Sequence, residues 1–184
     1  MRNYLKTVIY ILAISILTLS CSNNSENAKT TVSNADSLKV INDKEKISSV
    51  SLKFEPYISF GDFKVTNIDN KRKAKLDLSS NISASNFRTR LMEAYEADTS
   101  NFSGHYTFVY WGCGSTCQSS LLIDRQTGKI YDSPGASLGY EYHVESRMLL
   151  ANPPDTSGHY DDCFYCKPII YLFDEETNTF TEKK

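Results

Sequence analysis

The chain lacks three things, and each absence removes a class of function. It has no excess of basic charge: 20 Lys and Arg against 22 Asp and Glu give a formal net charge of −2. A nucleic-acid partner is therefore not expected, because phosphate recognition needs concentrated positive charge. The short run Lys71-Arg72-Lys73 reads as a solvated loop. It has no apolar run of the ~20 residues that a spanning helix requires. Nor does it contain a nucleophile elbow, a phosphate loop or a zincin helix. With no complete catalytic set, neither a metal nor a cofactor is expected.

What is present begins at the N-terminus. Arg2 and Lys6 form a basic head, Thr7 to Leu19 is almost wholly apolar, and Ser20 and Cys21 follow. A basic head, a short apolar core and a small residue before the cut define a secretory signal. The Cys directly after the small residue makes this stretch resemble a bacterial lipoprotein signal, with residues 1–20 removed and Cys21 lipidated. The alternative is an ordinary secretory signal that leaves Cys21 free. The resemblance implies a membrane partner reached through a lipid anchor. No acidic residue follows Cys21 in Ser22-Asn23-Asn24, which points to the outer membrane of a bacterial envelope.

Residues 21–49 are rich in Ser, Asn, Lys, Asp and Glu. Such a segment cannot bury enough apolar surface to offset its ordering entropy, so it reads as a flexible tether. Residues 50–184 are dense in aromatic and β-branched side chains and are long enough for one core. The expected fold is mainly β, a β-rich α+β domain. Its antiparallel sheets would form a compact sandwich or barrel-like body with one amphipathic helix near 83–97. There Phe87, Leu91, Ala94 and Tyr95 recur at helical spacing, with Ser83 or Ser85 as N-cap. Strands are expected at Val50–Phe60 and Asp62–Thr66 as a hairpin around Gly61, and at Lys75–Asp77. Others are expected at His105–Trp111, Gln118–Asp124, Lys129–Asp132, Tyr140–Leu150, Ile169–Asp174 and Thr179–Thr181.

Two stretches are alike. Ser103-Gly104-His105-Tyr106 recurs as Ser157-Gly158-His159-Tyr160, and a cysteine pair follows each. Leu122-Ile123-Asp124 with Thr127-Gly128 then matches Leu172-Phe173-Asp174 with Thr177-Asn178. A duplicated β-unit is one explanation; hairpins that reuse the same turn residues are the other. Asn101-Phe102-Ser103-Gly104-His105-Tyr106, Trp111-Gly112-Cys113-Gly114-Ser115-Thr116-Cys117-Gln118, Ile123-Asp124 with Thr127-Gly128, and Ser146-Arg147 through Asn152-Pro153 carry a resemblance. They are similar to an uncharacterised family of small exported bacterial (lipo)proteins, over about Phe87 to Pro154. That resemblance implies an exported β-rich domain and transfers no activity.

Apart from Cys21 four cysteines remain: Cys113, Cys117, Cys163 and Cys166. An even number in an exported chain favours disulfides. Local pairing would close small loops, and crossed pairing would staple distant strands. The same sulfurs suit a Cys₄ zinc site, and Cys163-Phe164-Tyr165-Cys166 has the spacing of a redox pair. A redox pair, however, depends on opening a helix, and here Lys167-Pro168 leads into an expected strand. His105 with Cys113 would make a conceivable Cys–His pair, and His159 lies among Asp155, Asp161 and Asp162.

The function read from these residues is an envelope-anchored lipoprotein with a non-enzymatic β-rich binding domain for an unknown envelope protein or glycan. The binding candidates are His105, Trp111 and Gln118. Two alternatives stay open: an inhibitor of an envelope-attacking hydrolase such as lysozyme, and a Cys- or metal-dependent enzyme.

Overall fold

A computed structural model describes residues 50–71, 73–97 and 99–184. The expected signal, Cys21 and the tether lie outside the described residues, as does Arg72 of the basic run. The elements are β1 (Ser51–Lys53), α1 (Arg88–Ala97), β2 (Tyr106–Gly114), β3 (Cys117–Asp124), β4 (Ile130–Asp132), β5 (Tyr140–Tyr142), β6 (Met148–Ala151), β7 (His159–Asp161), β8 (Ile169–Asp174) and β9 (Thr179–Lys183). They build three antiparallel sheets, ordered β1-β7, β2-β3-β4 and β5-β6-β8-β9. The fold is β-rich α+β. Among the described residues no helix is long and apolar enough to cross a membrane.

Alternation along β2 and β3 explains the layering. Tyr106, Phe108 and Leu122 face one way, and meet Leu149 and Phe173 of the four-stranded sheet in an aromatic core. Val109, Trp111, Leu121 and Ile123 face the other way, and pack beneath Leu91 and Tyr95 of α1. The three-stranded sheet is thus buried on both faces, and β3 is buried at every position from Ser120 to Asp124 instead of at alternate ones. A third cluster covers the outer face of the four-stranded sheet: Met148, Leu150 and Ile170 with Phe54, Ile58, Phe60 and Phe63 above them.

That third cluster corrects the expected hairpin of Val50–Thr66. Only Ser51–Lys53 is strand, and it pairs with β7. Gly61 sits in a 3₁₀ turn, Phe60–Phe63, whose Asp62 carboxylate accepts from the Ser59 amide at 2.7 Å. The alternating aromatics serve as a lid over a sheet instead of pairing with each other. Lys75–Asp77 is likewise not a strand. It runs beside the β3–β4 turn on two isolated bonds, Ala74 N–H to Arg125 O at 2.9 Å and Asp77 N–H to Gly128 O at 2.8 Å.

The single strand expected over Tyr140–Leu150 is two, β5 and β6, folded back so that Tyr142 lies opposite Leu149. Ser146 makes the reversal. Its buried hydroxyl donates toward Phe60 O at 2.9 Å, a bond that a continuous strand would forfeit. Over the helical stretch the first turn, Ala84–Phe87, is 3₁₀, and Ser83 holds the N-cap position without a side-chain capping bond.

Candidate functional site

The sandwich has two chemically distinct ends. At one, the β3–β4 and β8–β9 turns are built by the same device. The Asp124 carboxylate accepts from Gln126 N–H at 2.7 Å and from the Thr127 hydroxyl at 2.6 Å. The Asp174 carboxylate accepts from Glu176 N–H at 2.9 Å and from Thr177 N–H at 3.4 Å. Gly128 and Asn178 close the two turns at φ 79° and 54°. The likeness along the sequence is in this respect real. It stops at pairing, since β2 joins β3 whereas β7 joins β1.

Between the two turns lies a groove of about 670 Å³, lined chiefly by Lys64, Asn67, His105, Arg147, Glu175 and Glu176. Its wall is held by backbone bonds, Val65 N–H to Glu145 O at 2.8 Å and Asp69 N–H to Gly104 O at 3.2 Å. The His105 ring stacks on Tyr106 at 4.2 Å and brings Nε2 to 3.5 Å from Asp124 Oδ1. Arg147 Nη1 donates to Phe173 O at 3.3 Å, and the Ser103 hydroxyl donates to Glu175 Oε1 at 2.8 Å. Both signs of charge therefore line one polar trough. Burial raises the Tyr106 phenol, which is kept as a hydrogen-bonding group rather than an acid.

The Glu176 amide holds the Asp174 carboxyl below its ordinary value of 3.8, and Arg147 adds to the effect. A depressed folded-state pKa gives stability that is present above the unfolded value and lost as pH falls through the folded one. The β8–β9 turn should thus hold through mild acid and loosen only below the usual carboxylate range. Followed by NMR, the Glu176 amide shift should titrate with a midpoint under 3.8; a midpoint at or above it would refute the assignment.

At the other end stand both disulfides, each paired locally: Cys113–Cys117 and Cys163–Cys166. Loops this short remove chain entropy worth about 2 kcal/mol each. With the sulfurs bonded to each other, neither the Cys₄ zinc arrangement nor a Cys113 nucleophile is formed. Cys166 leads through Lys167-Pro168 into β8, not into a helix. His159 Nδ1 meets the Ser157 hydroxyl at 2.9 Å, and Asp155 accepts from the Ser157 and His159 amides. Among the described residues no group of three or more His, Cys, Asp or Glu stands close enough to hold a metal ion.

The three binding candidates are not brought together. His105 lines the groove at the turn end. Trp111 lies six residues further along the strand, ~20 Å at the rise of extended chain. Its indole is 6% exposed and packs on Phe87 at 4.3 Å, inside the core beneath α1. A small cavity of about 190 Å³ adjoins it, with Ser83, Ser119 and Ser133 in the wall. Gln118 is half-buried on the opposite face, its backbone paired with Ala136.

One residue of consequence is easily missed in sequence, where Arg125 reads as part of a surface turn. It is 3% exposed. Nη1 donates to Thr107 Oγ1 at 3.0 Å and to Tyr95 O at 3.3 Å, with the guanidinium 4.7 Å from the Tyr95 ring. A buried cation thus sits on the last-turn carbonyl of Tyr95 in α1, where the helix dipole favours it. The available signal was alternation: with Asp124 on one face of a sheet buried on both, Arg125 must enter the other core.

Compared with family models, curated proteins and solved structures, the chain matches none.

Proposed function

We propose that this chain is a lipoprotein of the bacterial envelope, anchored through Cys21 and lying at the outer membrane, whose β-rich domain binds an envelope protein or glycan without turning it over. The observation that carries the binding role is the groove at the turn end. It offers about 670 Å³ walled by Lys64, Arg147, Glu175, Glu176 and His105, donors and acceptors of both signs held on strand ends and capped turns. The His105–Asp124 contact, at 3.5 Å, spends its carboxylate on closing a turn. Ser103, two residues before His105, donates to Glu175. Such a wall suits recognition of a polar, mixed-charge ligand better than acid–base chemistry.

Two experiments test the two halves of this reading. Cys21→Ala should abolish palmitate labelling and release the protein from the membrane fraction; unchanged labelling and fractionation would remove the lipoprotein assignment. For the groove, the double variant Lys64→Glu/Glu176→Lys reverses two exposed charges. In pull-downs from envelope extract the variant should lose the glycan or protein that wild type retains. An identical bound set would exclude the groove.

A specific feature also favours the inhibitor reading. Residues 112–117 form an exposed hairpin tip closed by a disulfide, and a preorganised loop loses little entropy on entering an enzyme cleft. Unchanged lysis by a panel of lysozymes at micromolar excess would discard it.

A further inference from the structure

We infer that the disulfide end of the domain is a lipid-facing surface that rests on the bilayer interface, with Phe164 inserted among the headgroups. The inference rests on the lipid anchor proposed for Cys21. Its starting point is an unusual exposure: Phe164 is fully open at 103%, and Tyr165 is 43% exposed. They occupy the tip of the loop that the Cys163–Cys166 bond closes, while Cys166 itself is buried at 5%. An aromatic pair held outward on a rigid turn has little else to do in water, and Phe and Tyr are residue types that favour the interfacial zone.

The surroundings extend the surface. Asn152 ties two segments together, its Oδ1 accepting from Leu138 N–H at 3.0 Å and its Nδ2 donating to Lys167 O at 3.2 Å. Leu138, 49% exposed, therefore stands on the same end. Ala136 pairs with Gln118 next to Cys117, which brings in the β2–β3 tip and the exposed ring of Tyr110, set edge-to-face at 5.4 Å against Tyr140.

The position of the chain's entry names the occupant. Val50, the first described residue, is exposed, and its carbonyl accepts from Asp162 N–H at 2.8 Å, one residue before Cys163. The segment that would run back to the lipid at Cys21 thus joins the domain beside the Phe164 loop, so this is the end that the tether keeps within reach of the bilayer. The charged groove lies at the opposite end of the strands, facing away from the membrane. Asp161 and Asp162 precede the loop and Lys167 follows it, all exposed. This acidic balance repels anionic headgroups and assigns the surface to zwitterionic phospholipid.

The test uses the full lipidated chain reconstituted in phosphatidylcholine vesicles. Phe164→Trp puts a reporter at the tip; the native Trp111, buried at 6%, supplies a background reached by neither lipid nor water. Ile68→Trp, at the groove end beside the Asp69–Gly104 bond, is the counterpart. The tip reporter should shift to the blue on reconstitution and lose emission to brominated phosphatidylcholine, while the Ile68→Trp reporter loses emission only to aqueous iodide. Brominated-lipid quenching should fall when phosphatidylglycerol is added; an unchanged or stronger signal would overturn the headgroup assignment. If the chain floats with the vesicles but the tip reporter stays in water, the lipid-facing surface is wrong and the loop belongs to a soluble protein partner. If the lipidated chain fails to float at all, the anchor reading has failed instead.

Discussion

Phe173→Ala should lower the unfolding free energy by about 3 to 5 kcal/mol, a large part of what a domain of this size possesses. Phe173 is fully buried on β8 and stands where the two sheets meet. Its ring lies 4.9 Å from Tyr106 of β2, 5.9 Å from Phe102 and 5.0 Å from Phe180 of β9. Truncation therefore opens a cavity that rigid strand backbones on both sides cannot close. Phe164→Ser is the matched control: it removes the same ring from a fully exposed site, and should change stability by no more than about 0.5 kcal/mol. Urea unfolding of the two variants compares them directly. A loss below about 1 kcal/mol for Phe173→Ala would mean that the sheets are not joined through this core.

The contrast between these two phenylalanines also shows what was legible in the sequence. Short-range patterns were. The class, the helix near 83–97, the strands on either side of Arg125–Gly128 and the final hairpin follow from periodicity and turn chemistry within a dozen residues. What failed was pattern whose meaning depends on distant partners. Phe54, Ile58 and Phe60 alternate as a strand would, with Phe63 beyond the Gly61 turn, yet all four cover Met148, Leu150 and Ile170 far along the chain. Tyr140–Leu150 alternates except at Ser146, and it is there that the chain reverses, with the Ser146 hydroxyl bonded to Phe60 and Phe63. The site divides the same way. His105 was recognisable as a polar residue at the lip of an apolar strand. Its neighbours Lys64, Arg147 and Glu176 come from three other segments, and no local rule assembles them. Trp111 was singled out for its flanking glycines and cysteine, although β2 turns its indole under α1.

Gly128→Ala should be nearly as damaging as the loss of Phe173, by a different route. Gly128 has φ 79°, and a Cβ built there would stand 2.0 Å from Lys75 O and 2.9 Å from the carbonyl carbon. The backbone cannot retreat. Gly128 N–H donates to Asp124 O at 2.8 Å and its carbonyl accepts from Asp77 N–H at 2.8 Å, pinning the turn from both sides. Left-handed backbone costs an ordinary residue roughly 1 to 2 kcal/mol, and the overlap adds displacement of the 74–77 segment that lies against α1. A total of about 3 kcal/mol is expected, read from the unfolding midpoint. Gly112→Ala meets nothing within 4 Å and should be silent to within about 0.5 kcal/mol. The matching turn separates the two causes. Asn178 occupies the equivalent place at φ 54°, so asparagine tolerates the backbone angle in this fold. Gly128→Asn relieves much of the angular strain and leaves the Cβ overlap intact. If the close approach to Lys75 dominates, Gly128→Asn should cost nearly as much as Gly128→Ala. Recovery to wild-type stability in the asparagine variant would show that the angle, not the contact, makes glycine necessary.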